Sequence, residues 1–387
     1  MQIILFDTKS RALLYPFSST RPLAQLRIGI LSIREKWELS LGLKSSAITE
    51  DYLKDGFPAP DPGHSLLINA SLLPDEELLT HINQLGESEA LVQGDQLLAG
   101  ILNWQSGWAI KDISESKFNG IIPYNIPFRQ LMAPWQIFQW NEQAIDFDFR
   151  LLTGGKKSQP IPASNRIIGA DRIFLEKGAK LEWVSLNAST GPIYIGRDSE
   201  IMEGSTIRGP FALGEGGVVK MGSRIYGATS IGPFSVAGGE IKNSVVMAYS
   251  NKGHDGYLGD SVIGDWCNIG AGSCISNLKN TASPIFLRDL KGKADVEIGI
   301  KCGLLMGDYT RCAVNTSFNT GTVAGCASNI FGEGFAPKNI PEFTWGHHEK
   351  YQLNKALEHI SNWKKLKGQS LTQHEIDILE HIYKQSN

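Results

Sequence analysis

An aliphatic residue recurs at every sixth position through the middle of the chain. The register runs through Ile195, Ile201, Ile207, Leu213, Val219, Ile225, Ile231 and Ala237. Because 42% of the residues are hydrophobic, eight matches in one fixed register arise by chance only about once in a thousand. The same spacing returns at Ile263, Ile269 and Ile275, and again at Met306, Cys312, Phe318, Ala324 and Ile330. A six-residue unit that turns after each short strand predicts a parallel β-helix with these side chains inside.

Small residues accompany the aliphatic positions four residues later. They are Ser199, Ser205, Gly217, Ser223, Thr229 and Ser235. We expect them at the corners of each coil, where little space remains between stacked turns.

The flanking segments lack this period. Residues 1 to about 155 predict an α/β domain, with strands at 2–6 and 65–69 and helices after Pro74 and Pro134. We expect residues 156–340 to form the β-helix domain. Residues 341–387 predict a helical hairpin whose second helix starts at a capping box, Thr372 to Glu375. We expect the hairpin to cover the open end of the coils or to pack on a neighbouring subunit.

Charge and cysteine usage exclude several classes of partner. The net charge is -3 and no Lys/Arg-rich run occurs, which argues against nucleic-acid or anionic-membrane binding. No basic leader and no apolar run of about 18 residues is present, so we expect a cytoplasmic protein without a membrane segment. The five cysteines form no C-x-x-C pair, which favours buried thiols and no metal site.

The six-residue register is lost between Ala237 and Ile263. This stretch contains His254 and Tyr257 among glycines, and we predict a loop that leaves the coil and carries functional groups. A neutral histidine suits the removal of a proton from an amine near pH 7. The alternative is that His254 is an ordinary histidine on a solvated loop.

Other polar residues near the break suit the binding of a sugar phosphate. Arg224 offers a planar fork and Lys242 a point charge for a phosphate. Hydrogen bonds to the sugar or phosphate are predicted for Tyr257, Asn268 and Asn277.

The residues from His254 to Asn277 resemble a known pattern, H-x-x-Y-x-G-D-x-x-I-G-x-x-x-N-I-G-A-G-x-x-x-x-N, without gaps. It belongs to the glucosamine-1-phosphate acetyltransferase/uridyltransferase-like family, with hexapeptide-repeat left-handed β-helices that assemble as trimers. The resemblance implies that His254 is catalytic and that the substrate-binding residues are Arg224, Lys242, Tyr257, Asn268 and Asn277. It also implies acetyl-CoA as co-substrate, an amino-sugar 1-phosphate as acceptor and a place in UDP-N-acetylglucosamine-type nucleotide-sugar biosynthesis.

The chain departs from the family around the acyl donor. Leu278 stands where the family has a tyrosine, and residues 280–284 do not reproduce its basic loop. The resemblance gives Ala271, Asp308 and Cys326 as candidates for acyl-CoA binding. The departure leaves open an acyl group other than acetyl.

Residues 13–37 resemble the opening of sugar nucleotidyltransferases, whose N-terminal domains are Rossmann-like. The glycines of that family's phosphate loop are absent from residues 7–19, and Leu23 follows Pro22 in place of a lysine. Ala70 and Ser71 stand where the family has a magnesium-binding aspartate. We therefore expect a degenerate nucleotidyltransferase-like domain, with Mg²⁺ needed only if nucleotidyl transfer is retained.

Two further functions remain open from the sequence. One is a sugar-1-phosphate nucleotidyltransferase that transfers a uridylyl or thymidylyl group. The other is a non-catalytic trimeric scaffold that binds a nucleotide sugar.

Overall fold

The computed structural model describes residues 1–57, 59–288 and 295–386. The chain divides into two compact units, each made of more than one segment. The first unit comprises Met1–Leu14, Thr20–Leu26 and Leu31–Met132, and the second comprises Tyr15–Ser19, Arg27–Ile30 and Ala133–Asn387.

The strands up to residue 123 are β1 (Gln2–Phe6), β2 (Arg27–Ile28), β3 (Leu31–Ser32), β4 (Ser45–Ile48), β5 (Gly63–Asn69), β6 (Glu89–Gln93), β7 (Gln96–Trp104) and β8 (Gly120–Pro123). The later strands are β9 (Arg166–Ile168), β10 (Ile173–Leu175), β11 (Lys180–Leu181), β12 (Ser185–Asn187), β13 (Ile193–Ile195), β14 (Glu200–Ile201), β15 (Thr206–Arg208), β16 (Phe211–Leu213), β17 (Val218–Val219), β18 (Arg224–Tyr226), β19 (Thr229–Ile231), β20 (Val236–Ala237), β21 (Glu240–Lys242), β22 (Val245–Val246), β23 (Asn251–Lys252), β24 (Tyr257–Gly259), β25 (Val262–Ile263), β26 (Asn268–Ile269), β27 (Cys274–Ile275), β28 (Ile285–Arg288), β29 (Asp295–Gly299), β30 (Leu304–Met306), β31 (Arg311–Cys312), β32 (Ser317–Phe318), β33 (Thr322–Ala324), β34 (Asn329–Ile330), β35 (Asn339–Ile340), β36 (Thr344–Trp345) and β37 (Glu349–Lys350).

The α-helices are α1 (Ile33–Leu41), α2 (Glu76–Asn83), α3 (Gln136–Gln139), α4 (Asn141–Thr153), α5 (Leu353–Leu366) and α6 (Gln373–Gln385). Short 3₁₀ turns lie at Lys9–Leu14, Leu23–Gln25, Lys54–Gly56, Ile110–Asp112, Glu115–Lys117 and Ala170–Arg172.

The first unit contains a mixed sheet in the order β4-β1-β5-β7-β6-β8. Strands β4, β1 and β5 are parallel, whereas β7 is antiparallel to β5 and β6. Helix α1 starts at a capping box between Ser32 and Glu35 and ends at Gly42 in the left-handed conformation. The predicted strand at 2–6 and the Rossmann-like arrangement of the sheet are confirmed.

The second unit contains the predicted left-handed parallel β-helix, whose coils stack into three flat faces. Face 1 is the sheet β10-β13-β16-β19-β22-β25-β30-β33-β35. Face 2 is the sheet β11-β14-β17-β20-β23-β26-β31-β34-β36-β37. Face 3 is the sheet β24-β21-β18-β15-β12-β9, and β27 and β32 pair above it. Successive coils contribute one strand to each face, which keeps equivalent residues in register.

The hexad positions form the core of this prism, as the sequence predicts. All sixteen aliphatic, aromatic, alanine or cysteine residues of the register are at most 4% exposed. The corner serines donate to backbone carbonyls, as Ser199 does to Gly196 at 2.6 Å and Ser235 to Met247 at 2.6 Å. Gly217 stands at a corner where an added Cβ would lie 2.7 Å from the Leu213 side chain. Small residues are needed there because the corners have no spare volume.

The prediction that a loop leaves the coil between Ala237 and Ile263 is wrong. Strands β21 to β25 continue the faces, and the coils are merely shorter than the regular 18 residues. Ile241 pairs with Ile225, 16 residues earlier, and Leu258 pairs with Ile241, 17 residues earlier. The hexad register fails because three steps between inward positions are shorter than six residues, those from Ala237 to Ile241, from Ile241 to Val246 and from Leu258 to Ile263, while the stacking of backbone strands continues.

The insertion that does leave the stack comes later, between β27 and β30. Strands β28 and β29 pair antiparallel there, with a register shift between Ile285 and Phe286. Its connecting residues lie outside the part of the chain that the structure describes.

The helical hairpin runs along one corner of the prism. The sequence instead predicts that it covers the open end of the coils or packs on a neighbouring subunit. Phe234, Tyr249 and Trp266 occupy equivalent left-handed corner positions in successive coils and stack at 5.1 and 4.3 Å between ring centroids. From α5, the Lys364 ammonium lies 4.9 Å from the Trp266 ring. Lys367 donates to the Phe234 carbonyl at 2.6 Å. The hairpin thus covers an aromatic corner of its own chain.

Helix α4 belongs to the second unit because its polar side chains bond to that unit. The Asn141 amide donates to the Ala228 carbonyl at 2.8 Å and accepts from the Gly29 N–H at 2.8 Å. Asp148 accepts from the Ile30 N–H at 2.8 Å. The compact units therefore divide the chain before α4, whereas the domain limits 1–155, 156–340 and 341–387 stay a prediction.

Four of the five cysteines are buried thiols, as expected, and Cys274 is exposed. Cys274 departs from the expectation because it points outward on β27, next to the inward Ile275.

Within the described residues, no helix has the length and apolar character that a bilayer crossing requires.

Candidate functional site

Face 3 gathers the cations that the sequence singles out. Arg224 on β18 pairs in register with Glu240 on β21, which pairs with Tyr257 on β24. Beside this column, Tyr226 pairs with Lys242. Parallel strands lie about 4.8 Å apart, so these side chains project from one face within three successive coils.

Contacts between these side chains define a small polar surface. The Lys242 ammonium lies 5.7 Å from the centre of the Tyr226 ring, and the Tyr226 hydroxyl donates to Glu240 Oε1 at 2.7 Å. That hydrogen bond, together with burial, raises the pKa of Tyr226. The Arg224 guanidinium lies 4.0 Å from both the Glu240 and Asp255 carboxylates, and its side chain is 54% exposed. Both cations remain open to a ligand from solvent.

His254 lies in the corner between β23 and β24, next to this surface, and is exposed. The corner is held from inside by Lys252, whose side chain is only 2% exposed. Its ammonium donates to the carbonyls of Gly238 at 2.8 Å and His254 at 2.7 Å. Burial lowers the pKa of Lys252 to about 8. A core cation thus fixes the backbone of the residue predicted to be the catalytic base.

The coil beneath this corner requires glycine at two adjacent positions. A Cβ on Gly238 would lie 2.6 Å from the Gly253 carbonyl oxygen, and one on Gly239 would lie 2.7 Å from the His254 carbonyl oxygen. Gly239 also has a positive φ of 71°. The pair lets the His254 corner approach the preceding coil closely.

Tyr257 and Asn277 belong to one hydrogen-bond network. The Asn277 amide donates to Asp260 and also bonds to the Tyr257 hydroxyl. Asp260 is 4% exposed and accepts from Asn243 at 2.6 Å. Burial, and after it the Asp260 charge, raise the pKa of Tyr257 to about 12. Tyr257 is therefore a neutral hydroxyl at physiological pH, positioned by Asn277.

Asn268 lies elsewhere, on β26 in face 2, where it pairs in register with Asn251 and Arg311. Ala271 follows in the next turn and is half-buried, and its carbonyl accepts from the Asn315 N–H at 2.8 Å. Asn268 is thus on a different face of the prism from Arg224, Lys242 and Tyr257, whereas Ala271 lies in the corner that stacks on the His254 corner, where the neighbouring Gly272 N–H donates to the Asp255 carbonyl at 3.0 Å.

Asp308 and Cys326 are buried, at 1% and 0% exposure. Asp308 accepts from the Asp265 N–H at 2.8 Å, and burial raises the pKa of Cys326 well above its ordinary value. The chain itself lies against this part of the prism, since a Cβ on Gly325 would lie 2.7 Å from the Tyr15 hydroxyl. Asp308 and Cys326 are closed off from solvent in this structure, and their contact with acyl-CoA stays a prediction.

The structure therefore brings Arg224, Lys242, His254, Tyr257 and Asn277 to one end of face 3. Sequence reasoning did not identify Lys252 or the Gly238-Gly239 pair. The signal for Lys252 is its register, because it pairs with the core position Ala237. That register was hidden by the change in coil length.

The first unit has a cavity of about 790 Å³ at the carboxyl end of β1, a common ligand position in open α/β sheets. Asp7 at its edge is 1% exposed and forms an ion pair with Arg11 at 2.9 Å. Asp7 also accepts from the Leu23 N–H at 2.9 Å, and burial raises its pKa. The segment that would carry a phosphate-binding loop is instead held together by its own ion pair.

The residues present do not fit a Mg²⁺ site at the end of β5. Asn69 and Ser71 are both fully buried there, and the Ser71 hydroxyl donates to Asn69 Oδ1 at 2.7 Å. Over the described part of the chain, no group of three or more His, Cys, Asp or Glu side chains is arranged to hold a metal ion.

Fold and site define a class of protein in which a hexapeptide-repeat left-handed β-helix follows a nucleotidyltransferase-like unit. Residues 3–157 match the family model described as sugar nucleotidyl transferase. A bifunctional sugar-1-phosphate nucleotidylyltransferase/acetyltransferase of Sulfurisphaera tokodaii is 26% identical over 70% of this chain and 59% of its own length. A bifunctional protein GlmU of Methanocaldococcus jannaschii is 35% identical over 22% of this chain and 21% of its own. The resemblance stated from the sequence is confirmed.

The chain thus spans less than two thirds of the length of the curated relatives it matches. A solved structure of an Arabidopsis UDP-N-acetylglucosamine acyltransferase matches 48% of this chain and 70% of that chain, with a TM-score of 0.29 and 15% identity.

Proposed function

We propose that the protein is an acyltransferase that acetylates the amino group of an amino-sugar 1-phosphate, with acetyl-CoA as donor. The observation that carries the proposal is the meeting of two cations, the exposed Arg224 and the half-buried Lys242, with the His254 corner on one face of a rigid prism. The two cations can bind the phosphate, and the histidine can remove the proton of the amine. The rigid prism holds the cations and the histidine in fixed positions. The names of the relatives, which include an acetyltransferase, support the same chemistry.

The proposed reaction forms one C–N bond and breaks one C–S bond. The acceptor nitrogen attacks the thioester carbonyl carbon, and the imidazole of His254 removes the proton that the nitrogen loses. Coenzyme A leaves as a thiolate and is protonated to the thiol. Tyr257, as a neutral hydroxyl, and Asn277 hold the sugar so that its amine faces His254.

Asn268 joins this site only from another copy of the chain, because it lies on face 2. We therefore propose a homotrimer in which face 2 of one copy meets the His254 end of face 3 on the next. Large exposed apolar side chains on the β-helix support association, among them Trp183 at 71%, Met221 at 68% and Val314 at 65% exposure.

The proposal is tested by mixing the protein with acetyl-CoA and glucosamine 1-phosphate and following thiol release. His254→Ala is expected to lower kcat at least about 100-fold, the usual contribution of a general base. His348→Ala, at another exposed histidine of the same unit, is the matched control and should retain full rate. A His254→Ala variant as fast as the control removes His254 from the mechanism.

The family match at residues 3–157 favours nucleotidyl transfer as a second candidate. It requires pyrophosphate release from a nucleoside triphosphate and a sugar 1-phosphate in the presence of Mg²⁺. The buried Ala70 and Ser71 at the expected metal position weigh against it. Release of pyrophosphate that persists in the His254→Ala variant would establish it as a separate activity.

A further inference from the structure

A groove of about 350 Å³ continues along face 3 from the candidate site. Its upper end is formed by Arg224 and Tyr226, and it runs away from His254 across two further coils. The polar residues that line it are Ser185, Asn187, Thr206, Arg208, Arg224 and Tyr226. Its volume lies in the range of about 300–1,000 Å³ typical of small-molecule sites. An acceptor held at Arg224 and Lys242 has open space beyond its phosphate.

Arg208 supplies positive charge inside this groove. It lies on β15, in the column that continues through Tyr226 to Lys242, and is exposed. Among the residues that the structure describes, no carboxylate forms an ion pair with Arg208. The nearest acidic side chain of the columns, Glu240, already accepts from Tyr226 and lies beside Arg224. Three cations therefore follow one another along the face, which exceeds the need of a single phosphate.

The direction of the groove matches the geometry of a diphosphate ester. In a sugar 1-phosphate the phosphate is the end of the molecule, so the groove below Arg224 stays empty. In a sugar linked to a nucleoside diphosphate, a second phosphate follows the first and a nucleoside follows that. Adjacent coils are about 4.8 Å apart, so Arg208 lies one coil beyond Arg224, within reach of a second phosphate. The hydroxyl and amide groups of Ser185, Asn187 and Thr206 then line the space for a ribose or base.

We propose that the acceptor is an amino sugar carried on a nucleoside diphosphate, with its second phosphate bound by Arg208 and its nucleoside in the groove. The inference rests on the proposed acyl transfer and extends its acceptor from a sugar 1-phosphate to the nucleotidyl ester of that phosphate. Arg224 and Lys242 bind the phosphate next to the sugar, and Arg208 discriminates between a diphosphate and a monophosphate acceptor.

The experiment compares two probes, uridine diphosphate-glucosamine and glucosamine 1-phosphate, by calorimetric titration and by thiol release with acetyl-CoA. The full chain is expected to bind the nucleotide-linked probe at least about tenfold more tightly, as one added charge-assisted contact allows. Arg208→Ala should remove that preference and leave affinity for glucosamine 1-phosphate within about twofold. Lys220→Ala, at an exposed lysine beside β17 on face 2, is the matched loss of charge and should change neither.

Equal affinity of the wild-type chain for the two probes overturns the inference. So does nucleotide-probe binding that Arg208→Ala leaves intact, since the nucleotide then binds elsewhere, as in the cavity of the first unit. Failure of the acyltransferase proposal gives a different result, in which no thiol is released with either probe while Arg208→Ala still weakens binding of the nucleotide-linked one.

Discussion

Lys252 is a charged residue in a row of apolar ones. The equivalent core positions of the adjacent coils are Ala237 and Ile269. An ammonium buried among aliphatic side chains is costly, and its charge persists here because two carbonyls accept from it. One of those carbonyls belongs to His254. We infer that Lys252 is a positioning residue for the histidine corner.

Replacing Lys252 by Met keeps the length and volume of the side chain and removes both hydrogen bonds. We expect thiol release to fall about 100-fold, since a displacement of about 1 Å at a reacting group has that effect. The melting temperature at pH 7 should change by less than about 3 °C, because relief from burying a charge offsets the lost bonds. Lys220→Met, at an exposed lysine, is the control. Retention of full activity by Lys252→Met contradicts the positioning role.

The lowered pKa of Lys252 also predicts how stability depends on pH. The folded chain releases the Lys252 proton near pH 8, whereas the unfolded chain holds it up to the ordinary value of 10.5. In this window the unfolded state binds more protons, so raising the pH favours folding through this group. The melting temperature of the wild type, measured against that of Lys252→Met, should therefore rise from pH 8 to 10.5. A constant difference across that range would show that Lys252 is charged in the folded chain throughout.

At the scale of the structural element, the His254 corner depends on the coil below it. Gly239→Ala places a Cβ 2.7 Å from the His254 carbonyl oxygen at a residue with a φ of 71°. Gly222→Ala introduces a Cβ at a similar φ of 69° with nothing within 4 Å. Both variants carry the left-handed backbone cost of about 1 kcal/mol. We expect only Gly239→Ala to lose acyl transfer, by about tenfold or more, in assays of thiol release.

Comparison of the two glycine variants separates displacement of the corner from loss of backbone freedom. Equal activity of the variants at equal melting temperature would show that the corner tolerates a shift, and that His254 acts without precise placement.

The sequence predicts elements best where one rule repeats. Ile207, Ile225 and their equivalents obey a fixed period because every coil buries the same position, so the prism follows from the pattern. The length of a coil does not follow from this repeated pattern. The coil shortens near Gly238 because the backbone atoms of adjacent coils approach each other closely there. The burial of Asp308 could not be predicted, since it depends on packing between segments far apart in the chain. Local pattern predicts the scaffold and tertiary contacts decide the site.

At the scale of the whole molecule, the division of candidate residues between faces bears on assembly. His254, Lys242 and Tyr257 belong to one end of face 3, and Asn268 belongs to face 2. If a site combines face 3 of one copy with face 2 of another, each copy contributes to two sites. Inactivating substitutions on different faces then affect different sites of the same assembly.

Mixing two inactive variants tests this arrangement. His254→Ala and Asn268→Ala, unfolded and refolded together in equal amounts, should regain activity, since about a quarter of the sites combine an intact His254 with an intact Asn268. His254→Ala mixed with Lys242→Ala should stay inactive, because both residues come from the same face of one copy. Activity is followed by thiol release, and mass by light scattering. No recovery in the first mixture, from a preparation that scatters as a trimer, would place Asn268 outside the site and limit catalysis to face 3.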